Sequence, residues 1–195
     1  APVSDGGLER TPASQTTSRQ HASIIVRPLS AVALERNLEA LADLLVTTVN
    51  GGHPLGFMPP LSHNHARGYW LALRGDLQDN SRLLLAAYCE DRIVGTGQLA
   101  FVAWPNARHR AELQKLFVDP GVRARGIGRA LMAALHSAAR QHGRTLLLLN
   151  TRRGWPAEAF YRQLGYHEVG VIPGYSQGSA GERYDTVAFY VDLSL

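Results

Sequence analysis

The sequence predicts a mixed α/β sheet with helices on both faces, in the order β-αα-βββ-α-β-α-ββ. Three observations carry this. Apolar runs of strand length alternate with segments whose apolar residues recur every 3.6 positions. One strand feeds directly into a glycine-containing loop and a long amphipathic helix, Leu113–Met132. Finally, Thr145–Asn150 (TLLLLN) is a continuous apolar run, as expected of a strand buried on both faces.

Ser23–Pro28 (SIIVRP) reads as the first strand, stopped by its proline. Val32–Val49 carries apolar residues at 34, 38, 41, 42, 45 and 49, the stripe of one amphipathic helix. Asn50–Pro60 (NGGHPLGFMPP) is rich in glycine and proline and must be a loop. A second helix is expected around Asn64–Leu77. Arg82–Tyr88 and Ile93–Trp104 form a hairpin about the polar turn Glu90-Asp91-Arg92, and Ala111–Val118 is the next strand. In the helix Ile127–Gln141, residues Ile127, Ala130, Leu131, Ala134, Leu135 and Ala138 share one stripe, and Gly143 suits its C-terminal cap. Pro156–Leu164 is a short helix opened by proline and ended at Gly165; Tyr166–Ile172 and Tyr184–Leu193 close the chain as strands.

The length of 195 residues fits one domain, read as 23–195 behind a disordered N-terminal tail at 1–22 that is rich in Ser, Thr, Gly and Pro. The single cysteine, Cys89, excludes a disulfide framework, a cysteine zinc cluster and a CxxC pair. No apolar run approaches the roughly 20 residues that span a bilayer. The opening stretch lacks the apolar core of a secretory signal. These features lead us to expect a soluble, cytoplasmic protein with no membrane partner.

Charge is unevenly distributed. Twenty basic residues against sixteen acidic give +4, and Lys115 is the only lysine. Eleven of the basic residues fall between Arg108 and Arg162, against Glu112, Asp119 and Glu158. Clustered arginine suits a phosphorylated cofactor or nucleic acid, because its fork matches phosphate oxygens in pairs; the plainer reading is a solvated helical patch. No nucleic-acid-binding motif accompanies the cluster, so no nucleic-acid partner is expected.

The segment LQKLFVDPGVRARGIGRALM (113–132) concentrates the chemistry. A strand runs through a loop with Arg123, Arg125, Gly126 and Gly128 into a helix, whose unpaired first-turn amides and positive dipole end make an anion site. GxGxxG would need glycine at 131, which is leucine, and GxxxxGK[ST] finds no suitable lysine. Leu113 and Leu116 lie three apart, breaking period-2 alternation as either one inserted residue or a packing adjustment would.

Arg123-x-x-Gly126-x-Gly128, after a strand ending Phe117-Val118-Asp119-Pro120, resembles motif A of the GNAT family of N-acetyltransferases. Ala157-Glu-Ala-Phe160-Tyr161-Arg-Gln-Leu-Gly165-Tyr166 resembles that family's AxxFYxxxGF segment, and the element order is similar over roughly residues 23–193. GGHPLGFM, ELQKLFV and AEAFY…GYHEVGVIPGY are similar to the tabtoxin-resistance acetyltransferases within the family. The resemblance implies the GNAT fold, with a mixed, mostly antiparallel central sheet. It also implies acetyl-CoA as cosubstrate, no metal, and an amine acceptor, possible forms being monomer or homodimer. The amides of Arg125, Gly126, Ile127, Gly128 and Arg129 would hold the pyrophosphate, with Arg123 beside them. Leu116, Phe117 and Val118 would bond the pantetheine arm, with Asn150, Ala157 and Phe160 as further cofactor contacts. Two positions depart from the pattern: Gly154 replaces the family's frequent asparagine, and Asn150 stands where the subfamily has aspartate, which removes any carboxylate role there.

Amine acetylation needs a neutral amine, a polarised thioester and a protonated leaving thiolate. Glu112 is the candidate base, acting through water; its plainer reading is a strand-edge charge paired with Arg108 or Arg110. Tyr161 is the candidate acid, against a plainer role as a packed aromatic. His53, Phe57, Trp70 and Tyr175 are candidate acceptor-site residues, though packing accounts for the aromatics equally. His63 and His65 form an HxH pair with no third ligand in sequence. The implied activity is acetyl transfer to a small-molecule primary amine, an amino-acid-like toxin or antibiotic being the subfamily's suggestion. The rival readings are a protein N-terminal or lysine acetyltransferase and a non-catalytic acyl-CoA sensor.

Overall fold

The computed structural model describes residues 23–194, so the tail expected at 1–22 lies outside the described residues. The first half comprises β1 (Ile24–Pro28), α1 (Ala31–Arg36), α2 (Leu38–Asn50), α3 (His63–Ala72), α4 (Arg74–Gln78), β2 (Arg82–Cys89) and β3 (Arg92–Phe101). The second comprises β4 (Arg110–Val118), α5 (Ile127–Gln141), β5 (Leu146–Arg152), α6 (Pro156–Gln163), β6 (His167–Gln177) and β7 (Arg183–Asp192). The strands form one sheet in the order β1-β2-β3-β4-β5-β7-β6. Only β4 and β5 are parallel. This is the expected mixed, mostly antiparallel sheet with helices on both faces.

Two helices expected as continuous are each broken. Asn37 separates α1 from α2: its backbone leaves helical geometry (φ −106°, ψ 14°) and its side-chain amide donates to the Ala33 carbonyl at 2.8 Å. Local bonding of this kind competes with the helix ladder. The apolar period nevertheless runs through the break, since Leu34, Leu38, Leu41, Ala42, Leu45 and Val49 are all buried. Leu73 separates α3 from α4, where its amide tightens onto the Trp70 carbonyl at 3.1 Å.

The sheet separates two apolar layers. On one face, α5 and α6 pack on Leu85, Leu113, Leu147, Leu149, Val187 and Phe189. On the other, α1–α4 cover β2, β3 and the end of β4 around Leu84, Ala86, Ile93 and Phe117. Trp70 is fully buried in this second layer and donates from Nε1 to the Leu41 carbonyl at 2.9 Å. It belongs to the core, which corrects the expectation that it walls an acceptor pocket.

These four helices do not reach β5 and β7. Leu147 and Leu149 are buried against α5, whereas Leu146 and Leu148 are half-buried and Asn150 is exposed. The run TLLLLN is thus buried on one face only, and its second face borders the open part of the sheet.

Between β3 and β4 the register slips: Gln98 faces Gln114 but Thr96 faces Phe117, so Gly97 opposes both Lys115 and Leu116. The slip is a β-bulge, so the Leu113–Leu116 spacing reflects an inserted residue and not a packing adjustment. Lys115 takes the left-handed conformation (φ 49°), and Thr96 Oγ1 donates to its carbonyl at 3.3 Å. Gly97 is needed at the same level because a Cβ there would sit 2.7 Å from Leu135 Cδ1 on α5.

Candidate active site

A β-bulge bends its strand and strengthens local twist. Here β4 and β5 pair only through Arg110–Glu112 and Leu146–Leu148, and then part. Beyond the split, residues 113–118 of β4 and 149–152 of β5 each keep one edge without a strand partner. Such edges offer N–H and C=O groups to an extended ligand.

The cleft between the strands leads to the start of α5. Its N-cap, Gly126, is left-handed (φ 79°) and supplies no side-chain cap; the first turn contains no acidic residue. The first bond of the helix runs from the Ala130 amide to the Gly126 carbonyl, leaving the amides of Ile127, Gly128 and Arg129 without partners. Ala124 is also left-handed (φ 62°), and left-handed residues on either side of Arg125 turn successive amides inward. Nothing lies within 4 Å of a Cβ built on Gly126, and one on Gly128 would meet only the Phe160 ring, at 3.5 Å. The turn is therefore open to a phosphate, and Arg123, Arg125 and Arg129 surround it with positive charge. Gly126, Ile127, Gly128 and Arg129 fit the pyrophosphate of CoA, and the free edge at Leu116, Phe117 and Val118 fits its extended arm.

The mouth of the cleft is bordered from the acceptor side. Arg123 Nη1 lies 3.1 Å from His53 Nε2, and the His53 ring meets Trp155 edge-on at 5.5 Å. Arginine can only donate, so His53 accepts as the neutral tautomer protonated on Nδ1. Burial, and then Arg123, hold its pKa below the usual histidine value. Ala157 and Phe160 on α6 pack against the α5 layer, and Arg129 donates to Gln163 at 2.9 Å, tying the two helices together.

On the α1–α4 face, a polar chain ends at Glu112. Arg82, tied to Asp76 at 3.0 Å, donates to both Gln98 Oε1 (3.0 Å) and Gln114 Oε1 (2.9 Å). With their oxygens engaged, the two amide nitrogens must donate onward: Gln98 to Tyr69 Oη at 2.9 Å and Gln114 to Glu112 Oε2 at 3.0 Å. Glu112 is exposed and has no ion pair among the described residues, so the pairing with Arg108 or Arg110 does not form.

Lys115 points from the bulge toward the glycine-rich loop. Its Nζ donates to the Leu55 carbonyl at 2.6 Å and lies over the rings of Phe57 (5.2 Å) and Tyr69 (5.8 Å). Burial, with Arg82 nearby, lowers its pKa. Phe57 therefore does border the split strand, held by Lys115 and edge-on to Tyr69 at 5.1 Å. Tyr175 is exposed on β6 and joins none of these contacts, which leaves it outside the group. Lys115 and the Arg82 network escaped sequence reasoning, although the chain's only lysine beside a broken alternation was a usable signal.

Tyr161 lies on α6 in the same apolar layer as Leu113 and Leu149, the residues just past the split. Its ring packs against Tyr166 and Phe160, both at 5.6 Å. Desolvation alone pushes its pKa up to about 12, so the hydroxyl stays protonated at physiological pH. His136 Nε2 pairs with Tyr166 Oη at 3.0 Å, while His63 pairs with Asp43 and Glu39 at 3.0 and 3.6 Å. A cavity of about 400 Å³ between β1, β2 and α5 is lined by Val26, Leu83, Leu85, Ala134 and Ala138, away from the split.

Residues 80–168 match the acetyltransferase (GNAT) domain family. Over 118 residues, 60% of this chain and 68% of the relative, the sequence is 30% identical to an uncharacterised N-acetyltransferase from the hisH–hisA intergenic region of Azospirillum brasilense. The chain belongs to the GNAT family. A second relative, streptothricin acetyltransferase of Streptomyces lavendulae, is 32% identical over 104 residues, so the match spans about half (53%) of each protein. Solved GNAT structures share the fold. Ribosomal-protein-alanine N-acetyltransferase of Brucella melitensis superposes with a TM-score of 0.71 at 24% identity, over 87% of this chain and 99% of that one. The yncA acetyltransferase of Salmonella typhimurium, solved with its cofactor acetyl-CoA, gives 0.69 at 15% identity over 87% and 94%. Acetyl-CoA is the cosubstrate of this family, and the cleft and uncapped turn suit it.

The GNAT cleft makes a direct prediction at Gly128. Valine should keep the fold, since its Cβ meets only Phe160, but its branches fill the phosphate's approach. The expected outcome is a melting temperature close to wild type with the CoA-induced rise abolished. An undiminished rise in Gly128→Val would remove the phosphate from this turn.

Proposed function

We propose that the protein is an acetyl-CoA-dependent N-acetyltransferase whose acceptor is the primary amine of a small molecule, in the class of amino-acid-like toxins and antibiotics. The observation that carries the activity is the parting of β4 from β5 at the bulge, directly before the uncapped turn of α5. The similarity to streptothricin acetyltransferase supports an antibiotic-like acceptor.

The cosubstrate supplies an acyl group already activated as a thioester. The chain supplies position and proton transfer. The amides of Gly126–Arg129 anchor the phosphates, and the free edge of β4 orients the acyl arm. Glu112 takes the ammonium proton through water, its orientation fixed by Gln114 and, through Gln114, by Arg82. Asn150 shares the open face but cannot accept a proton as a carboxylate would. Tyr161 donates a hydrogen bond to the sulfur as it leaves, its hydroxyl being protonated at neutral pH. Attack by the amine is direct, because Cys89, half-buried at the end of β2, has no side-chain hydrogen bond to a base among the described residues.

Release of thiol from acetyl-CoA across a panel of free amines tests this reading. Tyr161→Phe keeps the ring packing and removes a hydroxyl whose pKa reflects burial alone. It should lower kcat by about 10²-fold or more with little change in melting temperature. A wild-type rate under conditions where chemistry limits would reduce Tyr161 to packing. Glu112→Gln should lower kcat/KM on strongly basic amines and less on amines already neutral at the assay pH. An equal loss on both would remove the proton-relay role.

A further inference from the structure

We propose that Arg152 is an anion anchor for the acceptor, so that preferred amines also carry a carboxylate or a similar oxyanion. The proposal rests on the acetyltransferase reading above and narrows its substrate class.

Arg152 is the last residue of β5 and shares a strand face with Leu148 and Asn150, opposite Leu147 and Leu149 in the α5 layer. It therefore stands on the open face of the sheet, away from the helix that carries the phosphate turn. Its guanidinium lies 3.1 Å from the ring centroid of Tyr184 on β7 and 5.1 Å from that of Trp155. Cation–π contact with two rings restrains the guanidinium without using its N–H donors. Among the described residues Arg152 donates no hydrogen bond and has no carboxylate within ion-pair distance. Neighbouring arginines are engaged: Arg153 with Asp185 at 3.6 Å, and Arg162 with Glu158 and Glu168 at 3.1 and 2.7 Å.

The nearby carboxylates direct their hydrogen bonds elsewhere, although Glu182 lies within the field of Arg152. Glu182 accepts from Tyr184 Oη at 2.7 Å and the Ala180 amide at 3.0 Å. Asp185 accepts from the Gly174 amide at 3.0 Å as well as facing Arg153. A cavity of about 310 Å³ opens here, lined by Arg152, Arg153, Gly154, Arg183, Tyr184 and Asp185, so three arginines outnumber one acid at its wall. A planar fork restrained by two rings, without a hydrogen-bond partner among the described residues and beside a cationic cavity, is suited to take two oxygens of one anion. The contact chain Arg123–His53–Trp155–Arg152 joins this corner to the mouth of the cofactor cleft. An acceptor held here by its anion thus reaches toward the split between β4 and β5.

The test uses matched L-amino acids and their carboxamides as acceptors at saturating acetyl-CoA, read by thiol release, with calorimetric binding of the same pairs to the CoA-bound protein. Wild type should favour the acids by about tenfold or more in kcat/KM. In Arg152→Met the ratio should fall to near one through the KM for the acid, without a rise in the KM for acetyl-CoA. Arg152→Lys, which keeps the charge but not the fork, should fall between. Equal use of acids and amides by wild type would overturn the proposal. So would a rise confined to the KM for acetyl-CoA, which would give the site to a cofactor phosphate. If no amine is turned over, the transferase reading fails separately, and calorimetry still decides. Acid binding lost in Arg152→Met supports the anchor; no acid binding in wild type refutes it.

Discussion

One inserted residue in β4 sets the geometry on which the rest depends. With Lys115 and Leu116 sharing the place opposite Gly97, the strand bends and cannot follow β5 past Glu112. A straight β4 would zip onto β5 and leave no cleft. The cost is a left-handed non-glycine residue and an interrupted ladder, both normally unfavourable. Thr96 Oγ1 satisfies the displaced carbonyl, and the Lys115 side chain is gripped by Leu55, Phe57 and Tyr69. The bulge is therefore tied to the loop that borders the acceptor side, so that cleft and acceptor wall are set by one distortion.

Electrostatics divide the site in two. The cofactor end gathers arginines around an uncapped helix start with no acid in its first turn. On the α1–α4 face, the exposed carboxylate Glu112 is approached through neutral amides, and Gln114 stands between it and Arg82. Neutral amides thus stand between Arg82 and the carboxylate proposed as the base, which is left without an ion pair among the described residues. Burial alone raises the pKa of Tyr161.

The parts legible in the sequence were those fixed by local pattern. The helix Ile127–Gln141 follows from its stripe and flanking glycines, whereas the leucines three apart left an inserted residue and a packing adjustment both open until the register settled it. The breaks at Asn37 and Leu73 were hidden, because the apolar period continues through the first and Leu73 is itself a buried core residue. Burial of TLLLLN on both faces failed because four helices cover only half of the second face, a fact of tertiary layout. Trp70 resembled a pocket aromatic in sequence; only its bond to Leu41, 29 residues away, marks it as core. The stacking of Arg152 on Tyr184 joins residues 32 apart across the sheet and leaves no local signature.

The most direct test of the split-strand cleft is amide hydrogen exchange with and without CoA. Residues 113–118 of β4 are laddered to β3 but keep the other edge without a strand partner, and the amides on that edge should gain strong protection together with the first turn of α5 when CoA binds. The β2–β3 pair, already laddered through Arg82–Cys89, should change little and serves as the reference. CoA binding that left 113–118 unprotected, or that protected only elements remote from the bulge, would contradict the assignment of this cleft.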